Sequence, residues 1–309
     1  MPTDSICVDI LLGTYNGAAF LTAQLESLLL QTHQNWRLWM RDDASSDATL
    51  AILQRYAQQF PERCQLIQDD LGNVGIINNY NILLRHSQAQ YLLFCDQDDV
   101  WLPNKISHTL KLMLNAERDY AQATPILVHT DLQVVDAQLH VLSESFWRYQ
   151  NINSKHKRLN RQVVQNNITG CTVMINRALA DLAFPVDSAA IMHDWWLGLV
   201  AAAFGVIIDD SLGTVLYRQH QQNDTGAKRW STAYIFKIAF KRYDILPIVA
   251  QAHAFFKRYV LSLQPEQQAL LQDFSKLPSL SYWSKRRLLV KYGLYKHGWL
   301  RNLGFIIDL

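Results

Sequence analysis

Cysteine is scarce and scattered. Cys7, Cys64, Cys95 and Cys171 are the only four, and their spacing fits neither a metal-ligand motif nor a disulfide framework. Cys7 and Cys95 lie in apolar runs and are expected to be packed thiols, as a reducing cytoplasm allows. Net charge is also low, +2 over 309 residues. That removes any global signal for polyanion binding, and no nucleic-acid partner is expected. The opening MPTDSICVDILLGTYN has no basic n-region and no long apolar h-region, so no signal peptide is expected. The longest nearly unbroken apolar stretch, residues 195–208, falls short of the roughly 18–20 residues that cross a bilayer. A cytoplasmic protein that lies at most against the inner face of a membrane is the expectation. Apolar residues are plentiful, 49% against 18% charged, enough to bury one large or two modest cores. No internal repeat or low-complexity tract stands out.

The first third alternates strand and helix patterns. Residues 6–12 form an apolar run ended by Gly13, and Phe20, Leu21, Leu25, Leu28 and Leu29 then recur at helical spacing. Residues 36–40 alternate as a strand up to Asp42-Asp43, and Ser45-Ser46-Asp47 can cap a helix bearing Leu50, Ile52, Leu53 and Tyr56. A short strand at 64–67, a helix at 76–84 and a strand at 91–95 follow. This predicts an α/β fold with a parallel sheet, whose ligands bind at the carboxyl ends of the strands. Further strands are expected at 126–129, 133–135, 171–175, 206–208 and 214–217, and a helix at 195–204 opened by Asp194. Residues 145–163 are polar, basic and aromatic and read as a mobile loop. From about 228 onward the pattern is one of long amphipathic helices.

Chemistry-bearing residues gather at the strand ends. In FCDQDDVW, at 94–101, a buried run meets Asp96, Asp98 and Asp99 within four positions. Each carboxylate makes its neighbours harder to ionise, so a cation is expected there. Mg²⁺ or Mn²⁺ commonly bridges one or two carboxylates to a diphosphate. The plainer alternative is a helix cap or turn before Pro103. Asp42-Asp43 can accept from a nucleobase N–H or ribose hydroxyls, or cap the following helix. In His193-Asp194-Trp195-Trp196, Asp194 is either an N-cap or a general base whose proton affinity an aromatic wall raises. His220, at another strand end, is a core histidine, a metal ligand or a phosphate donor.

Together these pieces resemble the family 2 glycosyltransferases of the GT-A fold. They are ILLGTYNG at 10–17, RDDASSDAT at 41–49, NVGIINNYN at 73–81, CDQDDVWLPNKI at 95–106, HDWWL at 193–197 and YRQHQQN at 217–223. They occur in the family's order over about residues 6–225. The form DQDDVW followed by YRQH is most similar to bacterial rhamnosyltransferase-type members that build O-antigen, capsule or cell-wall polysaccharide. The resemblance implies a GT-A catalytic domain at 1–227, with a nucleotide-sugar half at about 1–105 and an acceptor half at about 106–227. A basic helical region at 228–309 follows. It implies that Thr14, Tyr15 and Asp43 cradle the nucleobase and ribose, with Asn16 and Asp42 beside them. Asn73, Gly75 and Asn78 lie near the nucleotide, and Asp96, Gln97, Asp99, Trp101, Trp195 and Arg218 contact substrate. Asp98 and His220 hold Mn²⁺ or Mg²⁺, and Asp194 activates the acceptor hydroxyl. The implied reaction moves one sugar, with inversion, from a UDP- or dTDP-sugar such as dTDP-rhamnose to a glycan acceptor linked to polyprenol diphosphate.

Processive relatives carry Gln-x-x-Arg-Trp and membrane spans. Here Arg229-Trp230 is present, but Gly226 stands at the glutamine position, which favours a single transfer. Two other readings compete. A nucleotidyltransferase would need a basic phosphate loop after the first strand, and residues 13–17 contain no basic residue. A non-catalytic scaffold would not need Asp98 and Asp194. Finally, residues 281–309 interleave Lys285, Arg286, Arg287, Lys291, Lys296 and Arg301 with Trp, Tyr and Leu, and have no acid before Asp308. Such a segment either packs on the catalytic domain or rests on an anionic membrane surface.

Overall fold

A computed structural model describes residues 5–121, 123–220 and 244–308. Strands β1 (Val8–Thr14), β2 (Trp36–Asp42), β3 (Cys64–Leu66) and β4 (Tyr91–Cys95) run parallel and are joined by α1 (Ala18–Leu29), α2 (Thr49–Gln59) and α3 (Ile76–His86). Next come β5 (Val100–Trp101), α4 (Lys105–Asp119), β6 (Ile126–Val135) and β7 (Val141–Ser143). Two short helices follow, α5 (Phe146–Gln150) and α6 (Leu159–Gln162), then β8 (Val173–Asn176), α7 (Arg177–Ala183), α8 (His193–Phe204) and β9 (Val206–Arg218). Helices α9 (Leu246–Tyr259), α10 (Pro265–Ser275), α11 (Tyr282–Tyr292) and α12 (Trp299–Asp308) end the chain.

The sheet order is β3-β2-β1-β4-β8-β6-β9-β5, with β7 on β6. β8 is antiparallel to both β4 and β6, and β9 is parallel to β6. The carboxyl ends of β1, β2, β4 and β9 therefore share one edge with the start of β8. Register aligns Thr14 with Asp42 and Leu12 with Cys95. The loops that follow these strands are thus neighbours, which is how an α/β sheet builds a binding crevice.

Period-two alternation splits the core in two. Val8, Ile10 and Leu12 face α1, α2 and α4, together with Leu38, Met40, Leu93, Cys95, Val128 and Met174. Leu11, Leu92, Phe94, Val173 and Ile175 face the other way, into a core shared with α3, α7 and α8. That second core also takes Phe255, Leu271, Phe274, Leu288, Leu289 and Phe305 from the four last helices and Leu294 from the connection before the last. The described helices after residue 244 thus pack on that sheet face.

Several sequence expectations are corrected. Cys7 is exposed, because the strand begins only at Val8. The strands expected at 126–129 and 133–135 are one strand, β6. Asp131 stays buried inside it because its carboxylate accepts from Ser145 Oγ and the backbone N–H groups of Phe146 and Trp147. Likewise 206–208 and 214–217 join as β9, where Lys155 and Lys157 neutralise Asp209 and Ser154 Oγ donates to it. The stretch 145–163 is not a coreless loop: it holds α5 and α6 and buries Phe146, Leu159 and Val163. Gly226 and Arg229-Trp230 lie outside the described residues. No described helix is long and apolar enough to cross a membrane.

Candidate active site

The strand ends line a cleft of about 600 Å³. Its walls include Gly13, Thr14, Tyr15, Asn16, Asp43, Asn73, Gly75, Asp96, Gln97, Asp98, Asp194 and His220. Most of the residues singled out in the sequence therefore meet in one place. Asp42, Asn78, Asp99, Trp101, Trp195 and Arg218 do not line it.

The loop after β1 is stitched to the loop after β2. Thr14 Oγ1 donates to Asp42 (3.0 Å), whose carboxylate also accepts from Ser45 N and Oγ. Asn16 N donates to Ser45 Oγ (2.8 Å), and Asn16 Oδ1 accepts from Ser46 N (2.8 Å). Asn16 sits at φ 49°, a left-handed conformation that asparagine tolerates. Gln97 grips Tyr15 by both backbone groups, accepting from its N–H (2.8 Å) and donating to its carbonyl (2.9 Å). A Cβ on Gly17 would stand 2.3 Å from the Gln97 amide, so glycine is required for that grip.

Asp43 is buried and organises the next wall. Its Oδ1 accepts from Arg41 Nη1 and Val74 N, both at 2.8 Å, and its Oδ2 accepts from Gly75 N at 2.9 Å. Asn73 Nδ2 donates to the Asp43 carbonyl (3.0 Å). Arg41 is itself buried and is shared with Asp69 at 2.8 Å. Asn78 points outward and bonds the Val74 carbonyl. Its neighbours Asn79 and Tyr80 face the cleft instead. The phase set by Leu83 and Leu84 in α3 carried that signal, since positions three and four residues earlier share their face.

The three carboxyls after β4 have separate surroundings. Asp96 accepts from the Tyr80 hydroxyl (3.3 Å). Asp98 Oδ2 lies 2.8 Å from His220 Nε2. Asp99 is fully buried beneath them, where burial, then Asp98 and Asp96, push its carboxyl well up. The Lys105 ammonium is buried nearby, over the Trp101 ring at 4.5 Å. Arg218 pins the Asp98 carbonyl through Nε (2.9 Å) and gives its backbone N–H to Asp99. Trp101 faces the core and Trp195 Nε1 donates to the Gln162 carbonyl, so both indoles are structural.

Asp194 stands in the first turn of α8, where the helix dipole favours an anion. Asn166 Nδ2 donates to its Oδ1 (3.0 Å) and Gly170 N to its Oδ2 (2.9 Å). Burial outweighs these bonds and raises its carboxyl to about 6. His193 packs against Tyr80 and Phe94, and burial pushes it down to about 3, so it is neutral. Asn166, Gly170, Tyr80 and His193 were missed as site residues. Asn166 and Gly170 lie beyond any strand end on the primary pattern, and only the reversed direction of β8 brings them to this edge.

The family model described as glycosyl transferase family 2 matches residues 9–183. A UDP-Glc:α-D-GlcNAc-diphosphoundecaprenol β-1,3-glucosyltransferase of Escherichia coli is 30% identical over 36% of this chain and 42% of its own length. A dTDP-rhamnosyl transferase of Shigella flexneri is 24% identical over 76% of this chain and 78% of its own. The matches span 47%, 42% and 62% of three of the curated relatives, about half their length. Residues 1–349 of the S. aureus protein TarS, solved with UDP-GlcNAc, superpose with a TM-score of 0.53 at 16% identity, covering 90% of this chain and 83% of that one. A Pyrobaculum calidifontis mannosyltransferase solved with GDP-Man and Mn²⁺ gives 0.54 at 14% identity, covering 94% and 75%. At these identities the likeness is one of fold, the GT-A type of nucleotide-sugar transferase.

Proposed function

The chain belongs to glycosyl transferase family 2, and from that premise we propose that it transfers one sugar, with inversion, from a UDP- or dTDP-sugar to a hydroxyl of a lipid-linked surface glycan. The observation that carries this is the shared cleft: Asp194, held near a pKa of about 6, lines the same 600 Å³ space as the Asp98–His220 pair. A general base works best when its pKa lies near the operating pH.

In this mechanism Asp194 accepts the proton of the acceptor hydroxyl as that oxygen attacks the anomeric carbon. The bond between the anomeric carbon and the diphosphate oxygen breaks in the same displacement, and the electron pair leaves with the nucleoside diphosphate. No covalent sugar–enzyme intermediate is required. The loops at 14–17, 43 and 73–75 offer backbone and side-chain groups to nucleobase and ribose. Gln97 fixes the Tyr15 backbone in that wall.

A carboxylate oxygen and an imidazole nitrogen, 2.8 Å apart beside the cleft, form a donor set that suits Mn²⁺, and Mg²⁺ through the oxygen. Asp98 and His220 would hold the ion. When bound it would neutralise charge on the departing diphosphate. The S. flexneri relative's name supports dTDP-rhamnose as donor, and the E. coli relative's name supports UDP-glucose and a diphosphoundecaprenol-linked acceptor. Gly226 in place of the processive glutamine supports a single transfer. An anionic membrane surface as partner draws support from α11 and α12, which expose Trp283 and Trp299 among basic residues.

The deciding experiment is a donor screen. Purified protein with Mn²⁺ or Mg²⁺ meets a panel of UDP- and dTDP-sugars and crude lipid-linked acceptor, and free nucleoside diphosphate is measured. Release from one donor that disappears in Asp98→Ala and Asp194→Ala is expected. Release that survives both substitutions, or the absence of both release and nucleotide binding, overturns the reading.

A further inference from the structure

Asn166 provides the one side-chain hydrogen bond to Asp194 among the described residues. Its own oxygen is already engaged, accepting from Ile168 N at 3.0 Å. That bond closes a tight turn and leaves the amide nitrogen directed at Asp194 Oδ1. Gly170 N holds the second carboxylate oxygen. A Cβ on Gly170 would come within 2.9 Å of His193 Nε2, so this approach of backbone to carboxylate depends on glycine. The two donors between them fix the plane of the Asp194 carboxylate.

The turn is itself firmly held. Trp195 Nε1, one residue beyond Asp194, donates to the Gln162 carbonyl, and Gln162 Nε2 donates to Asn167 Oδ1. From the far side, Asn160 donates to the Tyr292 carbonyl (2.9 Å), Arg161 to the Tyr295 carbonyl (2.7 Å), and His297 N to Gln165 Oε1 (2.7 Å). Arg301 donates to the carbonyls of Gln150 and Asn151. Residues 150–170 thus form a strap clamped between α8 and residues 292–301, and the strap brings Asn166 to Asp194.

We propose that Asn166 is a positioning residue whose amide orients the Asp194 carboxylate and stabilises its negative charge. This deepens the reading of Asp194 as general base and rests on it. The charged and titratable groups on the elements around Asp194 are His193 on its own helix, Tyr80 on α3, Asp96 and Asp98 after β4, Cys171 beside Gly170, His220 after β9, and Lys155, His156, Lys157, Arg158 and Arg161 on the strap with His297 behind it. Among the described residues no charged side chain pairs with the Asp194 carboxylate. Its charge is balanced by the Asn166 amide and by backbone N–H groups.

Two variants separate positioning from mere support. Asn166→Asp keeps the shape and an oxygen for Ile168 N, and changes only the group that faces Asp194. Asn166→Ala removes the amide without adding charge. The first readout needs no turnover: the carboxyl ¹³C signal of Asp194 is titrated in aspartate-labelled protein and assigned with Asp194→Asn. Its midpoint is expected to rise by about one pH unit in Asn166→Ala, because a hydrogen bond to the charged form lowers a pKa. The second readout is turnover. In Asn166→Asp, kcat at neutral pH is expected to fall roughly tenfold or more, with KM for the nucleotide-sugar unchanged and the acid limb of the pH profile moved upward. An unmoved Asp194 midpoint in folded Asn166→Ala, or a wild-type profile in Asn166→Asp, overturns the proposal. Full turnover in Asp194→Asn would instead overturn the base assignment itself, so the two failures are distinct.

Discussion

His220 Nε2 lies 2.8 Å from Oδ2 of Asp98, although 122 positions separate the two residues in the chain. The contact exists because β9 runs parallel to β6 and ends at the edge where β4 ends, and because β5 pins the start of the intervening chain to β9. Asp98→Ala is expected to abolish metal-dependent turnover. His220→Ala keeps the carboxylate and is expected to raise the Mn²⁺ concentration for half-activation by roughly tenfold or more, as loss of groups at a metal site does. Titrating activity against Mn²⁺ in both variants checks this.

The pH dependence follows from Asp194. Burial raises its carboxyl from an ordinary 3.8 to about 6. Below that value it carries a proton and cannot accept another, so kcat/KM is expected to fall as pH drops through about 6 and to plateau above it. Asp194→Asn is expected to lose about 10²–10⁴-fold in kcat and to lose this limb. A pH–rate profile of both proteins is the measurement.

Gly17 and Gln97 make a third case. A methyl group at 17 would occupy the space of the Gln97 amide, 2.3 Å away, and release Tyr15. Gly17→Ala and Gln97→Ala are both expected to weaken nucleotide-sugar binding by about tenfold, the cost of about one good hydrogen bond to a positioned wall. Thermal stability should change little in Gln97→Ala. Calorimetric titration with the nucleotide-sugar and a melting curve together test the pair.

Arg41 carries stability. Its side chain is 2% exposed and bridges Asp43 and Asp69. Arg41→Met leaves Asp43 buried beside only two backbone donors and should cost about 3–5 kcal/mol, as breaking one side of a buried ion pair does. Urea denaturation followed by tryptophan fluorescence would measure it. The loop at 73–75, which hangs on Asp43, should also become sensitive to protease.

The ends of α11 and α12 supply the last prediction. Trp283 and Trp299 are 72% and 73% exposed, among Lys285, Arg286 and Arg287. The double variant Trp283→Ser, Trp299→Ser is expected to lower sedimentation with vesicles containing phosphatidylglycerol and to leave donor turnover in detergent unchanged. Equal sedimentation of both proteins would remove the membrane from the list of partners.

Much of the site was legible because buried parallel strands end abruptly. Tyr91–Cys95 is apolar throughout and stops at Asp96, and Thr14 and Asp42 stop their strands in the same way. What escaped was set by distant chain. The stretch 145–163 reads as loop because its partners, Tyr292 and Tyr295, lie more than a hundred residues further on. Asp131 and Asp209 read as strand breaks because the groups that hold their carboxylates come from residues 145–157. Trp101 beside the aspartates was expected to contact substrate, yet its alternation on β5 turns it into the core. Asp99 was expected to contact substrate, yet it lies fully buried and off the cleft that Asp98 lines.

The core that begins at Leu11 on β1 is closed by Phe305 on α12. The two lie far apart in the chain, so a ribosome makes β1 long before the helix that completes its cover, while α3, α7 and α8 reach that face of the sheet earlier. The strap that carries Asn166 waits on the same helices. During synthesis the Asp194 carboxylate is therefore made before the helices that clamp its hydrogen-bond donor, and the strap settles only once residues 292–301 have been added.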